Sequence, residues 1–225
     1  TNIKRFTLYP HIDKIIARRY SDGAAVELTV EKGRIKSLST LSSKAHCPSS
    51  YIAPGLVDNQ VNGYGGIDFC QNDLTVDHVR AVVRAMWATG VTTFLPTLIT
   101  SSHELLVRNF KVLAESRNDP MVEMTVPGYH LEGPYISPLD GYRGAHPLEH
   151  VRKPDWDEFS ILQKAAGGKI LQVSLAPEID GACEFIRKCR KNGLVVSLAH
   201  HNATDEQLDA AIKAGAQTST HLGNG

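Results

Sequence analysis

From Tyr51 onward the chain repeats one pattern: a short, nearly continuous apolar run, a loop, and then a stretch whose apolar residues recur at helical spacing. The run "YIAPGLVDNQV" leads through a glycine-rich loop to "TVDHVRAVVRAMWATG", where Val76, Val79, Val83 and Met86 share one face and Gly90 is the stop signal. "VTTFLPTLIT" precedes "SHELLVRNFKVLAES", and "EMTVPGYHLEG" precedes "DWDEFSILQKAAGG" after a long loop from 133 to about 154. "KILQVSLAPE" precedes "DGACEFIRKCRKNG", "LVVSLAHHNAT" precedes "TDEQLDAAIKAG", and "AQTSTHLGNG" opens a sixth unit. Strands that are apolar on both faces, each followed by a helix, predict an α/β fold with a parallel sheet covered by helices. The repeat length and the long loops after strands favour a (β/α)8 TIM-type barrel over an open doubly wound sheet, and no G-x-G-x-x-G turn follows the first strand. Six strands do not close a barrel of eight, so residues 51–225 are expected to be a partial barrel and the 225-residue chain part of a longer protein.

Residues 1–50 follow a different pattern. The alternating runs "KRFTLYP", "AAVELTV" and "GRIKSLST", separated by Asp-Gly and Lys-Gly turns, predict a small β domain. Across the chain 24 Lys and Arg balance 24 Asp and Glu, and the two signs are interspersed, which argues against nucleic acid or an anionic membrane as a partner. No apolar stretch approaches the ~20 residues of a membrane span, and "TNIKRFTLYPHID" lacks the apolar core of a secretory signal, so a cytoplasmic location is expected. Cys47, Cys70, Cys183 and Cys189 form no C-x-x-C pair, which predicts reduced, mostly buried thiols, with Cys183 and Cys189 on nearly opposite faces of one helix.

In a (β/α)8 barrel the reactive groups gather where the strands end. Asp58, Gln60 and Asn62 end the first predicted strand, Glu132 the third, His200 and His201 the fifth, and His221 the sixth. A carboxylate among strand residues is unfavourable to bury without a partner. Glu132 with one histidine from each of two later strands makes a carboxylate and two-imidazole set that suits a catalytic zinc or a similar divalent ion while leaving a position open. Adjacent strand residues face opposite ways, so one of His200 and His201 points inward, and spacing does not choose between them.

"APGLVDNQVNGYGGIDF", "GYHLEGPYIS" followed by "GAHP", "SLAPE", "AHHNAT" and "THLGNG", in that order, resemble the N-acetylglucosamine-6-phosphate deacetylases of the amidohydrolase superfamily. The resemblance implies three metal ligands, Glu132, His200 and His221, with His201 left aside. It implies one divalent ion, zinc being the expected one, because Gln60-Val61-Asn62 stands where the wider superfamily carries H-x-H for a second metal, and neutral amides are poor ligands. Gln60 and Asn62 are then either substrate contacts or hydrogen-bonding groups of the barrel mouth.

By the same resemblance His146 contacts the substrate and polarises the acetyl carbonyl, with Ala145 beside it. Asn224 and Gly225 fall in the loop that holds the sugar phosphate, although Gly-Asn-Gly departs from the bulkier residue and alanine usual around that asparagine. The implied reaction hydrolyses N-acetylglucosamine 6-phosphate to glucosamine 6-phosphate and acetate. The implied general base is an aspartate that nothing in residues 1–225 matches, so a chain ending at Gly225 is expected to be inactive. Alternatives are deacetylation of another N-acetyl substrate, such as N-acetylgalactosamine 6-phosphate, and a non-catalytic sugar-phosphate-binding module. The implied partner is the small amino-sugar phosphate, and the implied assembly of the full-length protein is a homodimer.

Overall fold

A computed structural model describes residues 14–42 and 49–222. The expected strand "KRFTLYP", Cys47 and the Asn224–Gly225 pair lie outside the described residues. The chain divides into two compact units, with the boundary between Pro54 and Gly55.

The first unit is a four-stranded sheet of β1 (Lys14–Arg19), β2 (Ala25–Glu31), β3 (Arg34–Thr40) and β4 (Tyr51–Ile52), in the order β3-β2-β1-β4. The β2–β3 hairpin turns on Lys32 and Gly33, both at positive φ (51° and 73°), the combination that a tight two-residue hairpin needs. One strand here was not anticipated from the sequence, and one expected strand start is corrected. The charged segment "KIIARR" is a strand, its register set by pairing with β2 rather than by apolar alternation. Tyr51 and Ile52 pair in parallel with β1, so the first strand of the parallel sheet starts at Leu56 and not at Tyr51.

The second unit runs β5 (Leu56–Val61), a small hairpin of β6 (Gly63–Tyr64) and β7 (Ile67–Asp68), α1 (Val76–Ala88), β8 (Val91–Ile99), α2 (His103–Ser116) and α3 (Pro120–Thr125). It continues through β9 (Tyr129–Glu132), α4 (Trp156–Ala165), β10 (Ile170–Leu175), α5 (Ala182–Lys191), β11 (Val195–Leu198), α6 (Asp205–Ala214) and β12 (Thr218–Ser219). The sheet order is β12-β11-β10-β9-β8-β5, and every neighbouring pair is parallel. Strand order therefore follows chain order without the reversal that defines a doubly wound sheet, which is the winding of a (β/α)8 barrel. Six of its strands lie among the described residues.

Local chemistry explains the helices. Thr75 caps α1 by accepting from His78 N, and the helix buries Val79, Val82, Val83 and Met86. Thr204 and Gln207 close a capping box on α6. α5 buries Phe185, Ile186 and Cys189 while Cys183 stays half-buried, and burial pushes the Cys189 thiol up to about 12. Segment 123–126, expected as the start of the third strand, is instead the end of α3 and its cap. Asp119 caps that helix and Pro120 occupies its first turn, so β9 is only four residues long. Those four are all buried: Tyr129 and Leu131 join the hydrophobic core, and His130 and Glu132 face the opposite way. Gly128 sits where β9 enters against β10, and a Cβ there would lie 2.4 Å from Leu171 Cγ.

Candidate metal centre

Three strand ends converge. Glu132 is the last residue of β9, His200 follows β11 by two positions, and His221 follows β12 by two. One ligand atom from each lies within 4.8 Å of the others. His221 Nε2 is 3.2 Å and His200 Nε2 is 3.4 Å from the same carboxylate oxygen, Glu132 Oε1. Gln60 Nε2 also donates to Oε1, at 2.7 Å, and Asn62 Nδ2 donates to Oε2 at 3.5 Å. Burial works to raise the Glu132 pKa, but the His200 hydrogen bond and the field of His130, His146 and His200 outweigh it, holding the carboxyl down at about 2. Glu132 is thus an anion at neutral pH although only 2% exposed.

Strand parity cannot separate His200 from His201, because both lie beyond the end of β11. Backbone conformation does separate them. His200 sits in the left-handed region at φ 49°, and His221 at φ 58°, conformations that β-carbon-bearing residues adopt only with strain of about 1–3 kcal/mol each. His200 joins Glu132, whereas His201 Nδ1 accepts locally from Ala203 N at 3.4 Å.

The long loop after β9 folds over this cluster. Its His146 is buried, with Nδ1 2.7 Å from Thr100 Oγ1 and Nε2 3.2 Å from His200 Nε2. Burial, then the neighbouring His200, pushes its pKa down to about 4, so the ring is neutral at physiological pH. The loop is tied in place by Ser137 N donating to His200 O and by Arg152, which donates to Ser101 O, His150 O and Glu158. Ala145, next to His146, is exposed. Asp58 stays out of the cluster, its carboxylate accepting from Gln60 N at 3.0 Å. A cavity of about 430 Å³ opens beside the cluster, lined by Gln60, Asn62, Gln172, Ser197, Thr220 and His221 among others.

Two residues of this region were not singled out in the sequence. His130 is fully buried two positions before Glu132 on the same face of β9, 2.7 Å from Ser174 Oγ, and burial pushes it down to about 4. Its parity with Glu132 was the available signal. Thr100 directly follows β8, so the strand-end rule that selected Glu132 also points to it.

The model of the amidohydrolase family matches residues 51–225. The chain belongs to the amidohydrolase family. Its relatives include an N-acetylglucosamine-6-phosphate deacetylase of Bos taurus, 38% identical over 181 residues that make up 79% of this chain and 44% of that protein. The enzyme of that name from Bacillus subtilis is 34% identical over 208 residues, 87% of this chain and 51% of that one. Among solved structures, a Mycobacterium smegmatis N-acetyl-D-glucosamine-6-phosphate deacetylase, an Asp-to-Ala mutant in complex with N-acetyl-D-glucosamine-6-phosphate, matches with TM-score 0.76 and 32% identity, over 89% of this chain and 51% of that one. The Pasteurella multocida enzyme matches with TM-score 0.77 and 28% identity, over 92% of this chain and 55% of that one. The chain spans about half the length of the curated relatives it matches.

Amidohydrolases are metal-dependent, and one carboxylate oxygen with two imidazole nitrogens is a donor set that fits a divalent ion. Gln60 and Asn62 each donate one side-chain amide hydrogen bond to the Glu132 carboxylate. Among the described residues no helix is long and apolar enough to cross a membrane.

Proposed function

We propose that the protein to which this chain belongs hydrolyses the N-acetyl group of N-acetylglucosamine 6-phosphate, giving glucosamine 6-phosphate and acetate. The observation that carries the reading is the meeting of Glu132, His200 and His221, from three separate strand ends, in a chain whose relatives bear the name of that reaction. In this reading the three residues hold one divalent ion, zinc by the softness of two imidazoles beside one carboxylate. Bound there, the ion supplies Lewis acidity, acidifying a water and drawing electron density from a carbonyl oxygen.

The remaining roles fall to the chain. Gln60 and Asn62 fix the orientation of the Glu132 carboxylate, as outer partners of ligands do. His146, neutral and buried, donates from its ring to the acetyl oxygen as charge develops on it, the moment when a preorganised donor contributes most. Ala145 and His146 border the acetyl group. Asn224 and Gly225 hold the phosphate through backbone N–H groups and the amide. The homodimer belongs to the same proposal, and light scattering of the purified protein tests it.

The deciding experiment compares kcat/KM for N-acetylglucosamine 6-phosphate, N-acetylgalactosamine 6-phosphate and an N-acyl amino acid on one zinc-loaded preparation. The glucosamine derivative is expected to be the best substrate. Equal or greater kcat/KM on either rival removes the substrate assignment, and absence of turnover on all three with sugar phosphate still bound favours the binding-module alternative.

A further inference from the structure

The segments "SLAPE" and "AHHNAT" lie at the ends of the neighbouring strands β10 and β11, and one side chain joins them. Glu178 Oε1 accepts from Asn202 N at 2.8 Å. Two further hydrogen bonds pin the backbone around His200: Ala199 N donates to Leu175 O at 3.0 Å, and Ser137 N donates to His200 O at 2.9 Å. Those two run between backbone groups, so Glu178 supplies the side-chain restraint. Between these anchors His200 adopts φ 49°, a conformation that persists only where its surroundings over-determine it.

We infer that Glu178 is a positioning residue whose Oε1, by accepting from Asn202 N, locks the left-handed turn that aims the His200 ring at Glu132. The inference rests on the proposed metal site for its consequence, but the contact itself needs neither an ion nor a substrate. The acceptor stands on a fixed base. Pro177 restricts the backbone before it, Ala176 N donates to Tyr135 O at 2.9 Å, and Ala182 N donates to Ile179 O at 3.0 Å. Stability alone does not account for the residue. Glu178 is half-buried, and its Oε2 is buried with no hydrogen-bond partner among the described residues, which is unfavourable for a carboxylate. What the side chain contributes is an acceptor held at the turn. The His200 ring has little room to compensate for a displaced turn, since a Cβ on Gly144 would lie 3.3 Å from His200 Cε1.

Two readouts on the full-length protein test the role. Exchange of the Asn202 amide hydrogen, followed by mass spectrometry with residue-level fragmentation, reads the contact in the metal-free state. Competition with a chromophoric chelator reads zinc affinity. The parent is expected to protect the Asn202 amide, and Glu178→Gln, which keeps an oxygen acceptor, to retain that protection. Glu178→Met keeps the bulk and removes the acceptor. It is expected to lose the protection, with zinc affinity down by roughly 10–100-fold and recovery in Glu178→Gln. Recovery in the conservative variant separates positioning from a general loss of packing. An unprotected Asn202 amide in the parent overturns the inference, as does a zinc affinity of Glu178→Met equal to that of the parent. Should Glu178→Met fail to fold, Glu178→Asp, whose carboxyl falls one methylene short of the turn, takes its place with the same expected losses. Zinc affinity that follows residue 178 in a protein that does not deacetylate the sugar phosphate would count against the proposed function alone.

Discussion

The side-chain amide of Gln60 donates to Glu132 Oε1 at 2.7 Å, joining the first strand of the parallel sheet to the third across 72 residues of sequence. The oxygen it contacts is the one that His200 and His221 also approach. A support of this kind sets how the carboxylate presents itself. Gln60→Met keeps the bulk and removes the donor, and we expect divalent-ion affinity to fall by roughly 10–100-fold. Competition with a chromophoric chelator measures it, and an unchanged affinity would show that the amide does not orient the carboxylate.

Glu132→Gln retains the shape of the side chain and removes its charge. Zinc content after purification, read by elemental analysis, is expected to drop from near one equivalent to near none, with turnover lost alongside. Full zinc occupancy in this variant would take Glu132 out of the ligand set.

Acid should destabilise the metal-free protein in a defined window. Burial depresses the pKa of both His130 and His146 to about 4, below the ordinary value of about 6.5 for an unfolded chain. The unfolded state binds protons first as the pH drops, so the contribution of these residues to stability is complete above about 6.5 and is lost progressively towards 4. Urea midpoints across that range are expected to plateau near neutrality and decline below it. A flat profile would contradict buried, neutral imidazoles at these positions.

Phe185 packs against three rings, with centroids 5.1 Å from Tyr135, 5.6 Å from Trp156 and 5.6 Å from Phe159. It links the start of the long loop to α4 and α5. Phe185→Ala leaves a cavity that close-packed neighbours cannot fill, and the expected loss is about 3–5 kcal/mol in urea unfolding. A loss well below that range would mean that the cluster collapses into the space.

The repeating unit was legible because its signals are local. Thr75 and Thr204 mark helix starts, and β8 and β10 are apolar runs that need no partner to be recognised. Where a strand is defined by its partner, local reading failed. Lys14–Arg19 is strongly charged and pairs by register, and Tyr51–Ile52 reads as the beginning of the next strand until its pairing with β1 is seen. At residues 123–126 the helix is marked by a local signal that the strand reading passed over, the Asp119 cap followed by Pro120.

The cluster of Glu132, His200 and His221 could be anticipated because each lies at or just past a strand end, and parallel strands of one barrel end at one mouth. The choice of His200 over His201 could not be made from spacing, since it depends on a backbone turn past the strand end. The contact between Thr100 and His146 spans 46 residues and leaves no periodic trace in either neighbourhood.

The left-handed backbone at His200 and His221 puts folding and chemistry in opposition at both positions. Glycine would relax either turn, since it lacks the β-carbon that makes positive φ unfavourable. A directed-evolution campaign scored on heat tolerance alone would therefore drift towards glycine at 200 and 221, enriching robust proteins stripped of both imidazoles. Libraries built on this scaffold should keep those two codons invariant.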